Sequence, residues 1–282
     1  MAAWPHVAFD LQGHRGARGL APESTIASFD AALANGITGV EFDVRLTGDG
    51  EVVVWHDATL EADKCVFEGE DLTDARVDDL TLEQLRTVDV GAKTLAAFPE
   101  QVAAPGSRIL TLDELFSRYA AAHPTLWWTV ELKVDPLDPR EVATREELTT
   151  KTIAAMKAAG VEGRSFVHSF DWAVLELARE IDPSLTLSAL TVPGMPLEDV
   201  RPWTGSLDPA DFPDEVAAAA ALEASVFSPY WTWCTPDNVA RAHLLGLAVL
   251  PWTVNEVADL EAVRAAGVDG LVTDYPDRWT AV

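Results

Sequence analysis

The chain is poor in cysteine and in basic residues. Only two cysteines, Cys65 and Cys234, occur in 282 residues. They lack the clustered spacing of a metal site and are too few for a disulfide framework, so a reducing compartment is expected. Lysine and arginine number 20 against 46 aspartates and glutamates, a formal net charge of −26. Such a chain repels nucleic acid and anionic membrane surfaces at long range, so any anionic ligand must be gripped locally. No apolar run approaches the roughly 18 residues of a membrane helix. The opening MAAWPHVAFDLQGHRG also lacks the basic start and continuous apolar stretch of a secretory signal. These absences predict a cytoplasmic protein with no stable membrane insertion and no nucleic-acid partner; they leave the oligomeric state open.

What is present is ample material for a core: 48% of residues are hydrophobic and 23% charged. Short β-prone runs alternate with longer helical patterns, the signature of βα units on a parallel sheet. Eight strand candidates fall at 7–13, 38–46, 126–133, 164–170, 185–190, 225–229, 247–255 and 269–274. Plausible helices lie between most of them, among them STIASFDAALANG, with Ser24 as cap and Gly36 as terminator, and TTKTIAAMKAAG, ending at Gly160. The expected fold is α/β, one (β/α)8 TIM barrel over residues 1–282. Residues 57–110, acidic and turn-rich with one helical pattern, read as an insertion over one rim between the second and third units. Residues 191–213, with five prolines, read as a long loop after the fifth strand.

In GVEFDVRL, Glu41 and Asp43 are two apart, so a strand points both to one side while Val40, Phe42 and Val44 face the helices. Two carboxylates inside a barrel mouth repel unless a cation holds them. The TGDG segment signals a hairpin that folds His56 back opposite Glu41 or Asp43, according to register. In TVELKVD, Glu131 and Lys133 repeat the i, i+2 pattern. Glu131 would add a third oxygen ligand for a hard cation such as Mg²⁺ or Ca²⁺, and Lys133 would neutralise a bound anion. No surplus of positive charge is evident to balance the three carboxylates. His14 and Arg15 follow the first strand, where a barrel puts catalytic groups, and Arg15 can fork onto a phosphate. Trp252 in PWTVN is a candidate to stack on a glycerol or alcohol moiety, with a core or rim position as the alternative.

The set HRG, PEST, E.D, T.DG.VVV.HD, ELK, SFD, WTVN and DG.VTDYP runs in order from residue 14 to residue 276. It closely resembles the glycerophosphodiester phosphodiesterase family, and so many ordered motifs are far more specific than one short match. The resemblance implies a metal-dependent barrel enzyme that cleaves a glycerophosphodiester to glycerol 3-phosphate and an alcohol. It makes His14 and His56 the acid/base pair, and Glu41, Asp43 and Glu131 the ligands of one divalent cation. It makes Arg15 and Lys133 the cations that bind phosphate. The chain departs from the family at Ser24, where asparagine is usual, and at His168, where many members have glutamine.

A mechanism follows in which the glycerol 2-hydroxyl attacks phosphorus, a cyclic 1,2-phosphate forms, and water opens it with the histidine roles reversed. The alternatives are a phospholipase D-like enzyme acting on lysophospholipid or sphingomyelin, for which the loop with Trp203 and Phe212 leaves room, and a sugar-phosphate phosphodiesterase. A barrel that binds phosphodiesters without cleaving them is a further alternative, disfavoured because both histidines and all three carboxylates are present. Glu23 either orders the first loop or touches substrate, and Ser169 either faces the pocket or closes a strand end. His6, His123 and His243 read as surface or helix-end residues.

Overall fold

The structure, a computed structural model, describes residues 8–281. His6 and Val7 lie outside them. The strands in chain order are β1 (Asp10–His14), β2 (Gly39–Leu46), β3 (Val52–Val54), β4 (Val66–Phe67), β5 (Val88–Asp89), β6 (Trp127–Leu132), β7 (Ser165–Ser169), β8 (Thr186–Thr191), β9 (Val226–Pro229), β10 (Ala248–Val249) and β11 (Gly270–Thr273). Eight of them form a parallel sheet in the order β10-β9-β8-β7-β6-β2-β1-β11. Backbone bonds from Asp269 N to Val249 O (3.0 Å), Val272 N to Pro251 O (2.9 Å) and Val254 N to Val272 O (2.9 Å) join its two ends. The sheet is a nearly closed (β/α)8 barrel, and each expected strand segment carries one barrel strand. β10 is much shorter than its 247–255 candidate: Pro251 has no N–H to continue a regular ladder.

Helices α1 (Ile26–Ala34), α2 (Leu82–Leu85), α3 (Leu112–Tyr119), α4 (Pro139–Ala158), α5 (Trp172–Ile181), α6 (Leu197–Val200), α7 (Glu215–Ala221), α8 (Pro236–Leu244) and α9 (Val257–Ala266) complete the chain. The main core lies between barrel and helices and contains Val40, Phe42 and Val44, the outward face expected of β2. The cap of α1 is Thr25 rather than Ser24: its side chain accepts from Ser28 N, while Ser24 sits at φ 59° with its buried hydroxyl unpartnered. Gly36 follows the end of α1 at φ 72° and Gly160 follows α4 at φ 65°, left-handed positions that suit glycine.

The hairpin at TGDG forms, pairing Val44 with Val54 and Leu46 with Val52. Trp55 N then donates to Asp43 O at 3.1 Å, so Trp55 lies beside Asp43 and the register carries His56 between the two expected positions, Glu41 and Asp43, rather than opposite either. Strand β3 separates two cores. Val52 and Val54 belong to the main one, whereas Val53 and Trp55 pack with Leu60, Cys65, Leu85 and Ile109 in a second. That second core organises residues 57–110, which hold the β4–β5 ribbon and α2. The 191–213 segment carries α6 and two short 3₁₀ turns. Among the described residues no helix is long and apolar enough to cross a membrane.

Candidate active site

Strand register sets the site. His14 stands beside Glu41, Asp43 beside Glu131, and Glu131 beside His168 on four adjacent strands. Residues in register on neighbouring strands share a face, so the row converges at the carboxyl ends of β1, β2, β6 and β7, the face where such barrels place their chemistry. One oxygen each from Glu41, Asp43 and Glu131 falls within 4.8 Å of the others, and all three residues are buried.

Two cations meet this trio, so the expected charge imbalance is partly answered within the protein. Lys133 Nζ donates to Glu131 Oε1 at 2.7 Å and lies 3.7 Å from Asp43 Oδ1. Arg15 Nε comes within 3.0 Å of Asp43 Oδ2, out of line for a hydrogen bond, and its backbone N–H donates to Glu41 Oε2 at 3.3 Å. The fork of Arg15 is turned on Glu23, with Nη1 at 3.1 and 3.2 Å from the two carboxylate oxygens. Even so, Glu41 Oε1 and both oxygens of Asp43 are buried without a hydrogen-bond partner. Burial, then the charges of Asp43 and Glu131, push the Glu41 carboxyl well above its ordinary range. Burial also raises Glu131, against the pull of Lys133. At Asp43 burial acts upward too, but Arg15, then His56 and Lys133, outweigh it and hold the group ionised. Buried anionic oxygens with no donor are costly. A hard cation with oxygen ligands fits the donor set.

Each candidate histidine is backed by a carboxylate. His14 Nδ1 lies 2.6 Å from Asp274 Oδ1, and its Nε2 is 3.7 Å from Glu41 Oε2. Asp274 also takes Arg18 Nε (2.9 Å) and Asn255 Nδ2 (2.7 Å). Burial, reinforced by the charge of Arg18, lowers His14 to about 4 against the opposing charge of Asp274, so its imidazole is neutral. His56 Nδ1 lies 2.7 Å from Asp57 Oδ1, and Lys64 Nζ bonds the other Asp57 oxygen. Lys64 Nζ also reaches Glu23 Oε1 at 3.2 Å. A carboxylate on Nδ1 fixes the tautomer and turns Nε2 outward, where it can accept or return a proton.

Glu23 therefore orders the first loop through Arg15, Lys64 and Arg18. Ser169 closes a strand end, donating to Leu132 O and accepting from Asp171 N. Trp252 donates to Ser228 O at 3.0 Å, and its ring meets Phe170 and Tyr230 edge-on at 5.3 and 5.5 Å between centroids. His168 is buried with Nδ1 2.8 Å from Ser188 Oγ, and burial lowers it to about 3. His243 is exposed, paired with Asp269, and His123 follows α3. Asp57, Asp274 and Asn255 received no role from the sequence. Their signal was position: Asp274 directly follows the last barrel strand, and Asp57 directly follows His56.

An eight-stranded parallel barrel with a buried carboxylate trio and two carboxylate-backed histidines at its carboxyl rim defines a TIM-barrel enzyme. Residues 14–278 match the model of the Glycerophosphoryl diester phosphodiesterase family. The chain belongs to that family. It is 31% identical over 264 residues to a glycerophosphodiester phosphodiesterase of Caldanaerobacter subterraneus subsp. tengcongensis, covering 94% of this chain and 93% of that protein. A Silicibacter pomeroyi structure assigned as a glycerophosphoryl diester phosphodiesterase superposes with TM-score 0.86 at 34% identity, covering 97% of this chain and 93% of the other. An Oleispira antarctica phosphodiesterase, solved with its product sn-glycerol-3-phosphate, shares the fold at TM-score 0.74 and 21% identity, over 96% and 95% of the two chains.

Proposed function

We propose that this chain hydrolyses glycerophosphodiesters to glycerol 3-phosphate and an alcohol, with one divalent cation, Mg²⁺ or Ca²⁺, held by Glu41, Asp43 and Glu131. The observation that carries the reading is the buried trio with its unpartnered Glu41 and Asp43 oxygens, flanked by two carboxylate-backed histidines. Family membership and the named relatives support the substrate class. The glycerol phosphate bound in the Oleispira structure agrees with the product. When bound, the cation would neutralise phosphate charge and acidify a coordinated hydroxyl.

The protein's own groups supply the rest. Arg15 and Lys133 border the trio, where they can meet a phosphate once the carboxylates they now pair with hold the cation. In the first half-reaction one histidine takes the proton of the glycerol 2-hydroxyl as its oxygen bonds phosphorus. The other protonates the leaving alkoxide as its bond to phosphorus breaks. In the second half, water opens the cyclic 1,2-phosphate: the proton-bearing histidine returns its proton to the 2-oxygen and its partner accepts one from water. Trp252, half-buried beside Phe170, is a wall on which a substrate group can stack.

A 2-deoxy analogue of the glycerol moiety tests the reading. It keeps phosphate and leaving group but removes the internal nucleophile, so it should bind and inhibit without cleavage, while the parent diester shows a transient cyclic phosphate by phosphorus NMR. Cleavage of the analogue at the parent rate would replace the cyclising route by direct attack of water.

A further inference from the structure

The loop between β8 and α7 borders an open cavity of about 270 Å³ lined mainly by Phe170, Leu190, Val192, Met195, Val200 and Trp203, with Thr191 and Thr204 among them. Asp199 is the one charged residue on its wall, and it is exposed. The cavity lies at the carboxyl ends of β7 and β8, the same rim as the carboxylate trio. Phe170 joins the two: its ring is 5.8 Å from Lys133 Nζ on one side and 6.3 Å from the Trp203 ring on the other. Val192, Met195 and Leu197 are 38, 43 and 56% exposed in this short stretch. A surface loop that leaves apolar side chains in water beside a cavity marks a binding site more often than a structural need.

We propose that this cavity receives an alkyl chain carried by the glycerophosphodiester, so that the enzyme favours substrates with an apolar arm over those with a small polar alcohol. The proposal rests on the hydrolase reading above and adds the chemistry of the substrate's second half. A sugar alcohol or a charged headgroup would need several hydrogen-bonding partners, and on this wall only Asp199, Thr191 and Thr204 are polar, the Thr204 hydroxyl being already turned on Arg201 O and Leu207 O. An alkyl chain needs none and gains from leaving water, roughly fourfold in affinity per buried methylene.

The chain can come from two sources, the leaving alcohol or an acyl group on the glycerol, and both are probed. Steady-state kcat/KM with added Mg²⁺ is measured for glycerophosphoethanolamine, glycerophosphocholine, the glycerophospho-ethyl, -butyl and -hexyl esters, and 1-butyryl and 1-hexanoyl glycerophosphoethanolamine. The expected result is a rise of about fourfold per methylene in one of the two series until the cavity is full. The double variant Val192→Asp and Met195→Glu should flatten that slope, cutting the ratio of the longest-chain substrate to glycerophosphoethanolamine by at least tenfold. Chain length without effect in both series, a slope that the double variant leaves intact, or glycerophosphocholine preferred to the hexyl ester would each overturn the cavity's role alone. Cleavage of none of these compounds would overturn the hydrolase reading and this inference together.

Discussion

The imidazole of His14 and the carboxylate of Asp274 meet at 2.6 Å across 260 positions of sequence. The first and last barrel strands are neighbours, with Gly13 in register with Thr273, so closing the ring completes this pair. Asp274→Asn keeps the shape but weakens the acceptor for Nδ1–H. We expect kcat to fall about 10²-fold with KM little changed, the pattern of a lost orienting group. Because Asp274 opposes the downward pull on His14, the variant's His14 should titrate lower than the wild type's. The Cε1–Hε1 NMR signal followed through acid checks this, and an unmoved midpoint with wild-type kcat would remove Asp274 from the mechanism.

Both candidate catalytic histidines are open to a simple test. His14→Ala and His56→Ala should each lower kcat by about 10²–10⁴-fold. Near-native turnover at saturating substrate by either variant would reassign that histidine.

Cation binding should release protons. In the metal-free protein Glu41 and Glu131 are held above their ordinary range, chiefly by burial, and a bound cation would pull both back down. Affinity for Mg²⁺ or Ca²⁺ should therefore rise with pH, with a calorimetric heat that depends on the buffer's ionisation enthalpy. Asp43→Asn, which removes the carboxylate that Arg15 holds ionised, should weaken binding at least 10²-fold. A buffer-independent heat together with a pH-independent affinity would contradict the raised carboxyls.

His168 should set part of the acid stability. Its folded value, about 3, lies below the unfolded 6.5, so the unfolded chain takes up the proton first. Stability from this group is complete above pH 6.5 and declines as pH falls toward 3. Relative to His168→Gln, the metal-free wild type should lose roughly 1.4 kcal/mol per pH unit below 6.5. Urea denaturation at pH 7.5 and 5.5 gives the comparison, and parallel losses in both proteins would contradict it.

How far the sequence could be read depended on how local each signal was. Glu41, Asp43 and Glu131 are legible because a two-residue period on an apolar strand leaves few places for a carboxylate to point. The barrel is legible because alternation survives in every unit. His56 was misplaced by one because a turn motif predicts a hairpin without fixing its register. Partnership between His14 and Asp274 is not a local property, and nothing near residue 14 announces it. At α1 two adjacent hydroxyls competed for one role, and Thr25 took it while Ser24 fell into the left-handed region. Thr25→Ala should accordingly cost about 1 kcal/mol by denaturant titration, whereas Ser24→Ala, which deletes an unpartnered buried hydroxyl, should cost none.

Strand β3 is a party wall. One face packs in the main core and the other in the smaller core of residues 57–110, and His56 hangs from its end. The smaller core has fewer residues to lose before it loosens, and cooperative units of unequal size open at unequal temperatures. Warming is then expected to part chemistry from architecture, loosening the chain at His56 while the ring of strands still holds. The upper temperature for turnover should then be set by the annex: Leu60→Ala, which opens a hole in its core, should lower that temperature more than it lowers the melting of the barrel.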